Sequence, residues 1–305
     1  MFNPIFLVGP TCVSKSSVSI QLAKDIHAEI VSCDSMQVYR GMDIGTAKPS
    51  KEEQIEVSHY MIDCVDISQE YNVSLYVQDA NKIISEIQSR NKTPIIVGGT
   101  GMYVRALIDG LFEGLSGDEK VRNELDKRAE TEGLDSLYEE LKKVDSISFL
   151  KIKSKDKKRI IRALEVYYVT GKPISSFQTQ WKKKKDVCII GLNRDRKNLY
   201  ERINSRVDKM FEDGLIEEVK GLMQKGLVEN KTARQALGYK EVISFLEGKS
   251  SFDETKEVVK MMTRRYAKRQ LTWFRKDDRV KWIDIAKEES IESVVKKIKE
   301  ILLIA

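Results

Sequence analysis

The sequence predicts an α/β fold, a parallel sheet flanked by helices, with a helical domain inserted into it. Three observations point there. Short apolar runs rich in β-branched residues alternate with amphipathic stretches over the first 110 residues, and strand and helix in alternation imply a parallel sheet covered on both faces. Near Gly110 the pattern changes to charged, helix-spaced sequence that continues to about Thr170. A strand-like run, "VCIIGLN", then returns at Val187 to Asn193, which argues for an insertion and against two domains in tandem.

Taken in order, "IFLV" (Ile5–Val8), "AEIVS" (Ala28–Ser32), "HYMID" (His59–Asp63) and "TPIIVGG" (Thr93–Gly99) read as strands, with helices over Ser14–Ile26 and Leu75–Ser89. The Gly- and acid-rich "LFEGLSGDEK" is a connection, and "ELDKRAETEGLDSLYEELKKV" carries leucines near helical spacing. After the returning strand, helices are expected over Leu199–Phe211, Leu215–Gln224, Arg234–Leu246 and Asp253–Phe274, then a strand "VKWIDI" and a helix from Ser290. The expected division is a core of 1–112 and 187–305 around a helical insertion, 113–186.

A chain of 305 residues, 41% hydrophobic, can bury a large core plus a smaller appended domain without covalent staples. Cys12, Cys33, Cys64 and Cys188 lie too far apart for a CxxC pair, and only two histidines are available to complete a zinc site. A reduced, soluble, cytoplasmic chain is expected, since no secretory leader pattern and no run near the roughly 18 apolar residues of a membrane span is present; a monomer is a separate expectation. The net charge is +6, but Lys151–Lys185 holds twelve basic residues against Asp156 and Glu165, and Lys260–Lys281 nine against Asp277 and Asp278. Two basic zones on an otherwise acidic molecule suggest a polyanionic partner. Solvated helix faces would give the same composition.

Gly9, Pro10, Thr11, Cys12, Val13, Ser14, Lys15 and Ser16 match G-x-x-x-x-G-K-[ST] at every fixed position except the second Gly, where Ser14 stands. A strand before and a helix after make this a P-loop NTPase-like arrangement. Inward N–H groups and a helix N-terminus would cradle phosphates; Lys15 would neutralise phosphate oxygens, and the Ser16 hydroxyl would serve Mg²⁺ as a hard ligand. If position 14 needs a positive φ, its side chain costs about 1–2 kcal/mol.

Asp34 stands at the carboxyl edge of the second strand, where an open α/β sheet opens into its ligand crevice. It lies beside the loop if the first two strands are neighbours, and there it could hold metal or accept a proton from a nucleophile; a cap or turn role remains open. "GGTGMY", Gly98–Tyr103, ends the fourth strand with glycines that admit close approach, and Thr100 either presents its hydroxyl to the crevice or caps the next helix.

In order along the chain, "GPTCVSKS", "DSMQVYRGMDIGTAKP", "GGTGMY", "KRIIRALEVYYVTGKPIS", "GLIEEV", "QALGYKE" and "TRRYAKRQLTWFR" resemble the blocks of the tRNA dimethylallyltransferase (tRNA isopentenyltransferase) family, from about residue 4 to 283. The resemblance implies transfer of a dimethylallyl group from dimethylallyl diphosphate to N6 of the adenosine just 3′ of the anticodon, position 37, with release of pyrophosphate. It implies that Asp34 is the general base, that Thr100 orients the amine, and that the loop residues 9–16 with Arg206 hold the diphosphate with Mg²⁺. It also implies that the inserted domain grips the tRNA anticodon stem-loop while the target base is flipped out of its stack. The matching tRNA-contact positions are Asp34, Ser35, Met36 and Gln37; Arg122; Lys158, Arg159, Ile160, Ile161 and Arg162; and Gln235, Gly238, Tyr239 and Lys240. Besides Ser14, "VSHYMID" lacks the family's Pro-His pair, and "KIKSKDKKR" puts lysines where a His-Pro-Asn-Asp-Pro type lead-in is usual. Two other expectations share parts of this pattern: an ATP-binding P-loop kinase using Asp34 for a substrate hydroxyl or metal, and an RNA-binding protein with a vestigial loop.

Overall fold

The computed structural model describes residues 3–111, 117–178 and 187–304. Two compact units result, Met1–Ile108 with Lys184–Ala305 and, inserted between them in sequence, Asp109–Lys183.

In the first unit six strands, β1 (Ile5–Val8), β2 (Ala28–Ser32), β3 (His59–Tyr60), β4 (Thr93–Gly98), β5 (Cys188–Arg194) and β6 (Val280–Ile285), form one sheet in the order β3-β2-β4-β1-β5-β6. Every pairing is parallel. All four residues of β1 are buried, and alternate ones enter opposite cores: Phe6 and Val8 pack with Val31, Tyr39 and Tyr76, whereas Ile5 and Leu7 pack with Val18, Leu22 and Ile190. The period of two thus places a hydrophobic layer on each face, as a parallel sheet with helices on both sides requires.

The helices of this unit are α1 (Lys15–Ile26), α2 (Lys51–Glu56), α3 (Val73–Ser89) and α4 (Gly101–Asp109), and after the insertion α10 (Arg196–Glu212), α11 (Leu215–Met223), α12 (Tyr239–Leu246), α13 (Phe252–Phe274) and α14 (Ile291–Ile304). Helix α3 starts two residues before the expected Leu75, because Asn72 accepts the N–H groups of Ser74 and Leu75. The insertion folds as α5 (Glu119–Thr131), α6 (Leu134–Val144), α7 (Ser146–Lys151), α8 (Lys157–Thr170) and α9 (Ile174–Gln178) around Leu125, Leu137, Leu141, Ile160, Ile161 and Leu164.

Three expectations are corrected. The third strand stops at Tyr60, since Met61 and Asp63 adopt φ of 61° and 54° and break the ladder. The helix expected over Arg234–Leu246 is a short 3₁₀ turn, Ala233–Gln235, followed by α12, because Gly238 has φ 91° and interrupts the helical path. The first two strands are not neighbours, for β4 lies between them. The lysine run Lys182–Lys185 within "WKKKK" lies outside the described residues.

Candidate functional site

The loop between β1 and α1 forms as its sequence demands, with two residues in the left-handed region, Cys12 at φ 66° and Ser14 at φ 69°. For non-glycine residues each costs about 1–2 kcal/mol, so the loop needs outside support. Arg202 of α10 donates from Nε to the Cys12 carbonyl at 2.9 Å and from Nη2 to the Ser14 hydroxyl at 3.1 Å. Arg194, at the end of β5 and almost fully buried, donates to the same hydroxyl at 3.4 Å. Arg206, one turn beyond Arg202, reaches the Thr11 hydroxyl at 3.2 Å. From α13, Gln270 accepts the Thr11 N–H at 2.9 Å and donates to the Gly99 carbonyl at 3.0 Å, so one side chain ties the loop to the end of β4.

Lys15 folds back onto its own loop, its Nζ donating to the carbonyls of Gly9 at 3.0 Å and Pro10 at 2.7 Å. Burial, reinforced by the charge of Arg206, brings its ammonium down to about 8, against the opposing pull of Cys12 and Asp34. Asp34 responds in the opposite sense: burial raises its carboxyl, while the amides of Met36 and Gln37 and the Lys15 charge work against that rise. Its Oδ1 accepts those two amides, at 2.9 and 3.4 Å, and its Oδ2 carries none of the bonds found among the described residues.

Asp34 and the loop face one cavity although β4 separates their strands. The pair of glycines ending β4 lets neighbouring segments close in on it. A Cβ on Gly98 would lie 2.0 Å from the Cys33 carbonyl oxygen, and one on Gly99 would lie 2.1 Å from Gln270 Nε2 and 3.3 Å from the Gly9 carbonyl oxygen. Without side chains there, Cys33 and Gln270 pack directly against the end of β4, which itself lines the cavity. The cavity measures about 490 Å³, within the ~300–1,000 Å³ usual for small-molecule sites.

Its far wall is built by two segments distant in sequence. Asp34, Ser35, Met36 and Gln37 line it together with Gly45–Ala47, as do Gln235, Gly238, Tyr239 and Lys240. Glu218 of α11 joins these segments: Oε2 accepts the amides of Asp43 and Ile44 at 3.0 and 2.7 Å, and Oε1 accepts the Gly45 amide at 3.2 Å and the Tyr239 hydroxyl at 2.5 Å. The side chain of Tyr239 is therefore a fixed wall. Thr100 uses its hydroxyl to accept the Ser35 amide at 3.3 Å and its carbonyl to start α4, so it serves both the crevice loop and the helix cap. Ser16 is exposed at the mouth, and among the described residues no cluster of three or more His, Cys, Asp or Glu could hold a metal by itself.

The candidates on the helical unit behave differently. Lys158 and Arg159 are exposed on α8, but Ile160 and Ile161 turn their side chains into the core of that unit and are withdrawn from any ligand. The helical period explains the correction: within one turn some positions must face inward. Arg122 and Arg162 converge on the fully buried Glu165. Arg122 Nη2 reaches Oε1 at 2.9 Å and Oε2 at 3.2 Å, and Arg162 Nη1 reaches Oε2 at 2.8 Å.

Sequence reasoning missed Arg202, Arg194, Gln270 and Glu218. Arg202 had a legible signal, since it precedes Arg206 by four residues and shares its helix face; Gln270 and Glu218 sit in quoted motif blocks but act at long range.

Comparison with known proteins agrees with this arrangement. The IPP transferase family model matches residues 37–277. The tRNA dimethylallyltransferase of Carboxydothermus hydrogenoformans is 51% identical over 298 residues, 96% of this chain and 95% of that protein. That of Geobacter sulfurreducens is 44% identical over 96% of each chain. Among solved structures, the full-length tRNA isopentenylpyrophosphate transferase of Bacillus halodurans superposes with a TM-score of 0.75 at 39% identity, covering 99% of this chain and 96% of that one. A eukaryotic dimethylallyltransferase captured acting on tRNA gives 0.78 at 30% identity, covering 92% and 74%.

Proposed function

The chain belongs to the IPP transferase family, and we infer that it transfers a dimethylallyl group from dimethylallyl diphosphate to N6 of adenosine 37 of tRNA, releasing pyrophosphate, as a cytoplasmic monomer. One observation carries the reading. A carboxylate with a free oxygen, Asp34, and a phosphate loop bearing Lys15 open into one cavity whose other wall is the 235–240 segment.

The chemistry follows from those neighbours. The exocyclic amine of adenine is a weak nucleophile because its lone pair is delocalised into the ring, so its proton must leave as the new C–N bond forms. Asp34, its carboxyl raised by burial, is a stronger base than a solvated carboxylate and accepts that proton on Oδ2. Thr100 holds the Asp34–Gln37 turn through the Ser35 amide and so orients the amine by way of that turn. At the other end the allylic C–O bond breaks, and charge gathers on the diphosphate oxygens. Lys15, Arg206 and the loop amides stabilise it where it forms. The donor set suits Mg²⁺: a lone exposed hydroxyl, Ser16, with room for water and phosphate oxygens, is what this ion accepts, since it seldom needs an all-protein cage. Bound there, it would supply further neutralisation of the leaving group.

The base must leave its stack to reach this cavity, at a cost of about a few kcal/mol. The walls at Ser35–Gln37 and Gln235–Lys240 would receive it, and Lys158, Arg159, Arg162 and Arg122 would hold RNA phosphates. Incubation with unmodified tRNA, Mg²⁺ and labelled dimethylallyl diphosphate should place label in the RNA at adenosine 37. ATP consumption without label, or tRNA retention without turnover, would overturn the reading.

A further inference from the structure

We propose that the Ser14 hydroxyl is a positioning group for the diphosphate, fixing the Arg202 guanidinium against the loop so that the phosphate cradle gains a second arginine beside Arg206; the proposal rests on the diphosphate reading above. A glycine at this position, as the loop pattern prescribes, would offer no acceptor. Here Arg202 docks by one edge, Nε on the Cys12 carbonyl at 2.9 Å and Nη2 on Ser14 Oγ at 3.1 Å. Two anchors on either side of Val13 fix the plane of the guanidinium, where the carbonyl alone would leave it free to swing. Its Nη1 carries none of the bonds found among the described residues, and the side chain lines the cavity.

Arg206 sits four residues further on the same face of α10 and grips the loop at Thr11. Neither arginine pairs with a carboxylate among the described residues, so both charges remain available to an anion. Behind Ser14, the buried Arg194 gives its Nη2 to the same hydroxyl, and its Nε has no partner among the described residues. Four cations, Lys15, Arg194, Arg202 and Arg206, are thus gathered about the loop, with Asp34 acting on Lys15 and Glu289 on Arg194. That gathering of positive charge suits an allylic diphosphate, a polyanion near neutral pH. The serine supplies the fixed point, and the strain of its backbone is the cost of that hydroxyl.

The test is binding of magnesium pyrophosphate by calorimetry, with steady-state kinetics for both substrates. Ser14→Gly relieves the left-handed backbone and should melt no lower than the parent. Its pyrophosphate Kd and its KM for dimethylallyl diphosphate should nevertheless rise about 5- to 10-fold, within the range of one lost hydrogen bond of ordinary strength, with the KM for tRNA unchanged. Ser14→Ala, which keeps the strain and loses only the hydroxyl, should show the same loss of affinity. Arg202→Ala should weaken pyrophosphate binding at least as much, and adding Ser14→Gly to it should change nothing further. Parental pyrophosphate affinity in Ser14→Gly, or additive effects in the double variant, would overturn the proposal. A parent protein that binds pyrophosphate but labels no tRNA would remove the proposed reaction and leave the role of Ser14 standing.

Discussion

The phosphate loop and the helical insertion are both rich in cations, yet they anchor them in opposite ways. Around the loop, Lys15 is held by the carbonyls of Gly9 and Pro10, Arg202 by a carbonyl and a hydroxyl, and Arg206 by the Thr11 hydroxyl. Neutral acceptors fix geometry without cancelling charge. In the insertion the acceptors are carboxylates: Arg122 and Arg162 meet Glu165, Arg128 meets Glu132 and Glu140, and Lys157 meets Asp126. There the ion pairs hold helices together, and much of the formal charge is spent inside the unit. A count of basic residues therefore overstates the field of the insertion and understates that of the loop, where few cations stand nearly unopposed.

The strongest way to break this comparison is at Asp34, a carboxylate that shares the loop's cavity. Asp34→Asn should lower turnover by about 10²–10⁴-fold, the usual worth of a general base, while pyrophosphate affinity measured by calorimetry stays near the parental value. Unchanged turnover would remove Asp34 from the chemistry.

In the insertion the corresponding change acts on stability. Glu165→Gln leaves two guanidiniums without their buried anion and should lower stability by about 1–3 kcal/mol, read from denaturant unfolding, with the KM for dimethylallyl diphosphate unaffected. A parental unfolding curve would show that the pair contributes nothing to the fold.

Smaller again is the expected loss on replacing Lys158, Arg159 and Arg162 together by Ala. Three free phosphate contacts would flatten the slope of log K against log salt by about 0.7–0.9 each. Because Arg159 and Arg162 already pair with Asp156 and Glu165, the slope should fall by only about 1–2. A fall matching three free charges would mean that the ion pairs open on binding, and an unaltered slope would mean that RNA passes elsewhere.

The most graded test is pH. Lys15 titrates near 8 in the empty cavity, and its charged form is the one that attracts phosphate. Diphosphate stabilises that form and raises its pKa in the complex. Pyrophosphate affinity should therefore be insensitive to Lys15 below pH 8 and fall by up to about tenfold per unit above it. Affinity flat from pH 7 to 9.5 would show that Lys15 stays charged in the empty site.

Much of the fold was legible because it is locally encoded. Ile5–Val8, Ala28–Ser32 and Val280–Ile285 form strands at their expected bounds, since continuous apolar runs between turn residues leave the chain few alternatives. The errors fell where a few backbone angles decide the outcome, at Met61, Asp63 and Gly238, and where helical phase decides, at Ile160 and Ile161. The loop 9–16, Asp34 and the Gly98–Gly99 pair could be marked as site candidates because their chemistry is carried by residue type at fixed spacing.

By itself, the sequence determined that a phosphate cradle follows the first strand, that a carboxylate ends the second, and that a charged helical stretch interrupts the sheet; these are properties of neighbours along the chain. Only the tertiary structure decided that β4 lies between those two strands and that Cys33 and Gln270 close against its terminal glycines. It alone brought Gln270 to Thr11, Glu218 to Tyr239 and Arg202 to Ser14 across separations of up to 259 residues. Hydrogen bonds of that kind leave no period or spacing in the sequence, because each depends on where two distant elements come to rest.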